Sequence, residues 1–243
     1  VGSEMCIRDS CRAIDCNISG GECIGIFAGT TGGLTVRNCA AFNCNVTGTK
    51  SVGGIIGDSE KNASWEYGVY DCAYFGSITS SGENAGGICG FINTTTGQII
   101  ENCVTYGDIT STGRVCGGIC GGANWNTDKC NINNCASYVN ITSDMVGGII
   151  GKSFGLNMNN CYATGNLKAK TPANPTDDLW SGGIVARSLN SSDVNNCYFS
   201  GIITADDGAY VGGLFGQKNA ANMSKLYYNC LLYTSPSPRD RSV

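Results

Sequence analysis

The sequence predicts an all-β fold, a parallel β-helix or β-solenoid of about seven coils with three short strands in each. Three observations carry the prediction. A glycine-pair motif returns about every 30 residues. An Asn-Cys or Asp-Cys step, with an apolar residue three positions before the cysteine, returns in phase with it. Between the two, apolar and polar residues alternate with period two, and no stretch sustains helical spacing.

The glycine pair opens each repeat. It reads Val52-Gly53-Gly54-Ile55-Ile56-Gly57, then Ala85-Gly86-Gly87-Ile88-Cys89-Gly90, then Cys116-Gly117-Gly118-Ile119-Cys120-Gly121. Later copies begin at Val146, Ser181 and Val211, and Cys23-Ile24-Gly25-Ile26-Phe27-Ala28 reads as a degenerate first copy. Such a pair suits a sharp bend or a close backbone approach. No helix signal follows it and no Lys-Ser/Thr completes a phosphate loop. The Asn-Cys step comes second: Val36-Arg37-Asn38-Cys39, Val69-Tyr70-Asp71-Cys72, Ile100-Glu101-Asn102-Cys103, Ile132-Asn133-Asn134-Cys135, Met158-Asn159-Asn160-Cys161 and Val194-Asn195-Asn196-Cys197. A short Gly-x-Ile/Leu stretch closes the repeat, as in Gly76-Ser77-Ile78-Thr79 and Gly107-Asp108-Ile109-Thr110. One coil cannot bury its own apolar face, so the core must come from stacking coil on coil.

The two ends stand apart. Residues 1–10 and 230–243 share nothing with the repeats. Val1 to Asp9 can be encoded by a DNA string whose reverse complement, in another frame, encodes Leu231-Leu232-Tyr233-Thr234-Ser235-Pro236-Ser237-Pro238. Both stretches resemble a translated sequencing adapter and are set aside from the fold. Residues 11–229 then read as an internal segment of a longer reading frame, so a missing signal peptide or anchor carries no information.

Composition narrows the function classes. The net charge is −4 with no basic patch, which argues against nucleic acid or an anionic membrane as partner. No apolar run reaches the length of a membrane span. There is no histidine, which removes Ser-His-Asp triads, Cys-His nucleophiles and His-ligated zinc. No cofactor or metal is expected.

The repeat resembles the GLUG motif family, whose repeats take the form Val-Gly-Gly-Ile-Val-Gly followed by Asn-Cys-Tyr-x-x-Gly. Asn160-Cys161-Tyr162-Ala163-Thr164-Gly165 and Asn196-Cys197-Tyr198-Phe199-Ser200-Gly201 carry the resemblance most closely, and it extends over nearly all of 11–229. The family occurs in large secreted or surface-attached bacterial proteins, adhesin-like proteins among them. The resemblance implies an extracellular or cell-surface β-solenoid stalk, and it brings no catalytic residues with it.

Sixteen cysteines invite a disulfide or metal reading, and alignment of the repeats decides against it for most. Cys39, Cys72, Cys103, Cys135, Cys161 and Cys197 share one repeat position, joined by Cys11, and predict a reduced structural ladder inside the rod. Cys89 and Cys120 fill a slot held elsewhere by Phe27, Ile56, Ile150, Val185 and Phe215. Cys23 and Cys116 fill one shared with Val52, Ala85, Val146 and Val211. Cys16 and Cys44 form a two-member column, the pair best placed for a disulfide. Cys130 sits in an insertion without a repeat counterpart. An Asn ladder is expected beside the cysteines.

Specificity in repeat proteins concentrates on insertions. Three stand out, each bearing one tryptophan: Asp58 to Gly68 with Trp65 and Tyr67, Gly122 to Cys130 with Trp125, and Lys168 to Trp180 with Asp177 and Asp178. Trp65, Tyr67, Trp125, Trp180, Asp177 and Asp178 are the candidate ligand-binding residues, suited to carbohydrate or a surface protein of a host or neighbouring cell. The competing reading folds these aromatics back over the coil edges. The pairs Asp177-Asp178 and Asp206-Asp207 resemble the carboxylates of polysaccharide-acting β-helix enzymes, but neighbours in sequence diverge on a strand, and a solvated turn explains them. Thr79, Thr110, Thr142 and Thr204 recur in a column one residue wide, where an ice-binding face needs two. The expected function is a non-catalytic adhesin-like stalk or binding scaffold, with part of a polysaccharide-acting β-helix enzyme as the alternative. Uncovered coil edges predict edge-to-edge self-association.

Overall fold

The computed structural model describes residues 7–32, 35–59, 68–93, 98–124, 129–171, 179–219 and 221–234. Among them the regular structure is β-strand throughout, and every strand pair is parallel. The chain winds as a coil of successive short strands, and three sheets run the length of the rod. Two sheets hold seven strands each, so the rod is about 30 Å long at the usual inter-strand spacing of ~4.8 Å.

One coil shows the plan. Val115–Gly117 carries the glycine pair, and Cys120–Ala123 follows it. Cys130–Asn133 and Ala136–Ser143 then form a short and a long leg separated by Asn134 and Cys135. The two legs belong to one fifteen-stranded sheet. In Ser192–Ala205 they run on as a single 14-residue strand, so the predicted third strand of each coil is a bent one.

The bend has a local cause. Asn38, Asp71, Asn102, Asn134, Asn160 and Asn196 all have φ between 51° and 55°. Asn and Asp tolerate this left-handed region better than other residues with a side chain. The twist exposes two residues in succession, such as Arg37 and Asn38, and returns both Val36 and Cys39 to the interior. That is why the sequence shows an apolar residue three before each cysteine. Side-chain amides stack along the bend: Asn160 Nδ2 donates to Asn134 Oδ1 at 2.9 Å, and Asn196 Nδ2 donates to Asn160 Oδ1 at 2.6 Å.

The interior is a set of in-register columns. Ile78, Ile109, Ile141, Leu167 and Ile203 form one, and Ile55, Ile88, Ile119, Ile149 and Ile184 form another; all are buried. Each fully buried aliphatic side chain contributes roughly 1.5–3 kcal/mol relative to an exposed one. A third column, Ala41, Tyr74, Thr105, Ser137, Ala163 and Phe199, mixes small and large residues.

The glycine pair serves that column and its own turn. A Cβ on the first glycine would meet the carbonyl oxygen three residues on, at 2.0 Å from Cys120 O for Gly117. A Cβ on the second would strike the mixed column, at 2.4 Å from Tyr74 Cγ for Gly54 and 2.4 Å from Phe199 Cγ for Gly183. Close approach, and not an unusual backbone angle, is what demands glycine here.

Two alignments from the sequence need correction. The degenerate first copy is shifted by one residue, because Ile24 pairs with Val52 and Ala28 with Ile56. Gly25 fixes this register, since its Cβ would lie 2.5 Å from Ala28 O, as the Gly53 Cβ would crowd Ile56 O. Cys23 therefore sits beside Ser51, both with positive φ, and Phe27 leaves the slot of Cys89 and Cys120. Cys116 keeps its expected place between Ala85 and Val146. Cys130 has repeat counterparts after all: it starts a strand, pairs with Leu156 and is buried in the core.

The ladder also runs into both terminal segments. Ile7–Asp9 pairs with Thr35–Arg37, and Ala221–Thr234 pairs with Ser192–Ala205. A parallel edge accepts an extended strand through backbone hydrogen bonds that ask little of its sequence.

Candidate binding groove

The glycine strands and the strands after them meet at a notch on the outside of the rod. Beneath it the third glycine of the motif lies against the backbone of a neighbouring strand. A Cβ on Gly90 would lie 2.4 Å from Ser51 C, and one on Gly121 would lie 2.7 Å from Ala85 N. Two columns of side chains flank the notch. One runs Ser51, Asn84, Val115, Met145, Trp180, Tyr210; the other runs Asp58, Phe91, Gly122, Lys152, Arg187, Gln217.

The groove deepens where the second column reaches Gly122. The missing side chain leaves a cavity of about 250 Å³. Its floor is Gly122 and the Asn84 amide, whose Oδ1 would lie 2.6 Å from a Cβ at position 122. Phe91 and Phe154 form aromatic walls, and Val115 with Met145 forms an aliphatic one. Lys50, Arg114 and Lys152 line it with a single carboxylate, Glu83. Burial and the neighbouring Arg187 and Arg114 guanidiniums hold the Lys152 ammonium below the ordinary lysine range, against the opposing pull of Glu83. The Lys152 Nζ also lies 5.3 Å from the centre of the Phe154 ring.

A charged column borders the groove. Glu22 pairs with Lys50, and the register continues through Glu83, Arg114 and Asp144, with signs alternating from coil to coil. Opposite charges on adjacent strands favour this register over a slip by one coil.

Trp180 is one of the residues expected to contact a ligand, and it lies farther along the same groove. It is half-buried and packs against the apolar cluster of Val115, Met145 and Ala186. Its ring stacks on Tyr210 at 4.3 Å, and the Arg187 guanidinium lies 5.7 Å from its centre. Trp180 thus forms part of the wall of this groove. Trp65, Tyr67, Trp125, Asp177 and Asp178 lie outside the described residues. Asp206 accepts hydrogen bonds from Thr171 N at 2.8 Å and Thr171 Oγ1 at 3.0 Å, which ties down a turn.

The cysteines take the positions the repeats assign. Cys39, Cys72, Cys103, Cys135, Cys161 and Cys197 are buried thiols, none in a disulfide, stacked along the bend. Each donates to the carbonyl two residues before it, as Cys103 Sγ does to Glu101 O at 3.2 Å. Burial pushes the Cys103 and Cys161 thiols well above their ordinary range, while S–H donation from both pulls Cys135 down between them. Cys16 and Cys44 are register partners and are likewise free. Among the described residues no group of His, Cys, Asp or Glu is arranged to hold a metal ion.

Two exterior features lie on the long legs. Phe42, Phe75, Tyr106 and Tyr138 stack face to face, at 5.0, 4.9 and 4.4 Å between successive centres. Their faces are occupied by each other, so only ring edges meet solvent. The Thr column includes Thr47 and is interrupted by Lys168.

The groove escaped the sequence reading, which placed function on insertions. Its signal lay in the positions flanking each glycine motif, where Phe91, Gly122, Lys152 and Arg187 follow one another in equivalent places. Compared with protein-family models, curated proteins and solved structures, the chain has no significant match.

Proposed function

We propose that the chain is a non-catalytic segment of a cell-surface or secreted protein, an adhesin-like stalk that also serves as a binding scaffold. The observation that carries the reading is the division of labour between inside and outside. The thiols and most buried hydroxyls lie inside the rod, where Ser80, Ser111 and Ser143 each donate to a carbonyl of the preceding coil, while the outer notch gathers cations, amides and aromatic rings in one groove. The extracellular setting and the carbohydrate or surface-protein partner rest on the GLUG resemblance. The net charge of −4 argues against nucleic acid as the partner.

The alternative, a polysaccharide-acting enzyme, would need an acid and a base converging on one bond. Asp206 is instead engaged with Thr171. The test is binding of the purified chain to intact cells and arrayed glycans, run beside an assay for polysaccharide cleavage. Binding without cleavage is the expected result. Cleavage that disappears in Asp177→Ala would overturn the proposal in favour of the enzyme.

A further inference from the structure

We infer that the cavity at Gly122 is a subsite for a carboxylate-bearing sugar unit, so that the groove recognises an acidic glycan. The inference deepens the binding-scaffold reading and rests on it.

Size is the first argument. At about 250 Å³ the cavity falls below the ~300–1,000 Å³ of sites for drug-sized ligands and suits a single ring. Charge is the second. Three cations line it against one carboxylate, in a chain whose net charge is −4. The other charged groups facing this stretch are Arg187 on the next coil, Asp144 beside Arg114, and Asp58 beyond Phe91. A monoanion between Lys152 and Arg114 would relieve the crowding of like charges around Lys152. Wall chemistry is the third. Aromatic rings at Phe91 and Phe154 suit the C–H face of a sugar, and the Asn84 amide can donate to and accept from its hydroxyls, beside Asn124, whose Nδ2 donates to Asn93 Oδ1 at 2.8 Å. An acidic peptide can also pair with the amides through its backbone, and poly-glutamate in the test separates it from the sugar.

Gly122 makes the site testable. Its backbone is not left-handed, and the nearest atom to an added Cβ is the end of the Asn84 side chain, so a larger residue fills the cavity without a backbone clash. Binding to the whole chain is measured with polygalacturonate, dextran sulfate, dextran and poly-glutamate. Polygalacturonate is expected to bind and to weaken with added salt. Gly122→Leu and, independently, Lys152→Met are expected to lower that affinity by about ten-fold or more, with unchanged circular dichroism. Equal binding of dextran would overturn the acidic class, and preference for dextran sulfate would replace carboxylate by sulfate. Equal binding of poly-glutamate would overturn the sugar. Polygalacturonate binding unaffected by both substitutions would overturn the site. Binding to cells with none to polygalacturonate would sink this inference alone, whereas no binding to any cell or glycan would sink the scaffold reading with it.

Discussion

At the residue scale, one conformation sets the shape of every coil. Asn134 has φ of 53°, donates its backbone N–H to no neighbour in its own strand, and reaches Asn159 O at 3.0 Å on the next coil. Asn134→Ala keeps the backbone bond but forces a Cβ without a compensating amide into the left-handed region, a cost of about 1–2 kcal/mol. Asn134→Gly removes the amide stack while easing the backbone. Denaturant titration is expected to rank wild type above Gly and Gly above Ala, and equal midpoints for Ala and wild type would refute this account. The thiols give a second prediction. Burial pushes Cys116 from 9.0 up to about 11, and Cys103, Cys120 and Cys161 rise as well. For a group whose folded value is raised, the stabilisation is complete below the unfolded value and is lost as pH climbs through the folded one. Melting temperature should therefore hold to about pH 9 and fall between pH 9.0 and about 11. A melting temperature that is flat through pH 11 would contradict buried, protonated thiols. The Asn-Cys step was readable in the sequence because one left-handed residue imposes a fixed spacing on the apolar residues around it. The one-residue shift of the first copy was not, because Ile26 stands where the other copies have their second glycine.

At the element scale, the glycine strands decide whether coils can close. The first glycine of the pair faces a carbonyl across its own turn, and no side-chain movement relieves a contact with backbone. Gly117→Ala places a Cβ 2.0 Å from Cys120 O and 2.7 Å from Gly151 N. It is expected to cost several kcal/mol, in the range that unfolds a marginal protein. Gly21 has nothing within 4 Å of an added Cβ, and Gly21→Ala should stay within about 0.5 kcal/mol of wild type. The comparison is read by thermal melting of both variants. Comparable melting temperatures for the two would show that close approach is not what requires the pair. The motif announced that glycine was needed, but only the packed strands distinguish its three roles: clearing a carbonyl, admitting Tyr74 or Phe199, and letting neighbouring strand backbones approach.

At the scale of the whole molecule, the rod is built by adding like coils, so its ends differ from its middle. At one end Cys11, Ala13, Ile24, Ile26 and Phe27 are only partly covered, and at the other Val211, Leu214, Phe215 and Leu226 are. Such edges combine open backbone groups with apolar side chains. The chain alone is expected to associate in a concentration-dependent way in sedimentation, and Phe27→Lys together with Phe215→Lys should reduce it. Monodisperse monomer across the accessible concentrations would refute the expectation. The groove also belongs to this scale, since its walls come from strands about 30 residues apart in sequence and one coil apart in space.

The amino-acid sequence by itself determined the repeat, the parallel stacking and the inward face of most columns, because a period-two pattern returning in phase leaves one way to bury its apolar residues. It also determined that the cysteines of the Asn-Cys step share a single column. Tertiary structure alone decided the register of the first coil, the core place of Cys130 and the groove beside the glycines. Each depends on which atoms of neighbouring coils meet: Gly25 against Ala28, Cys130 against Leu156, and the empty place at Gly122 between Asn84 and Phe91.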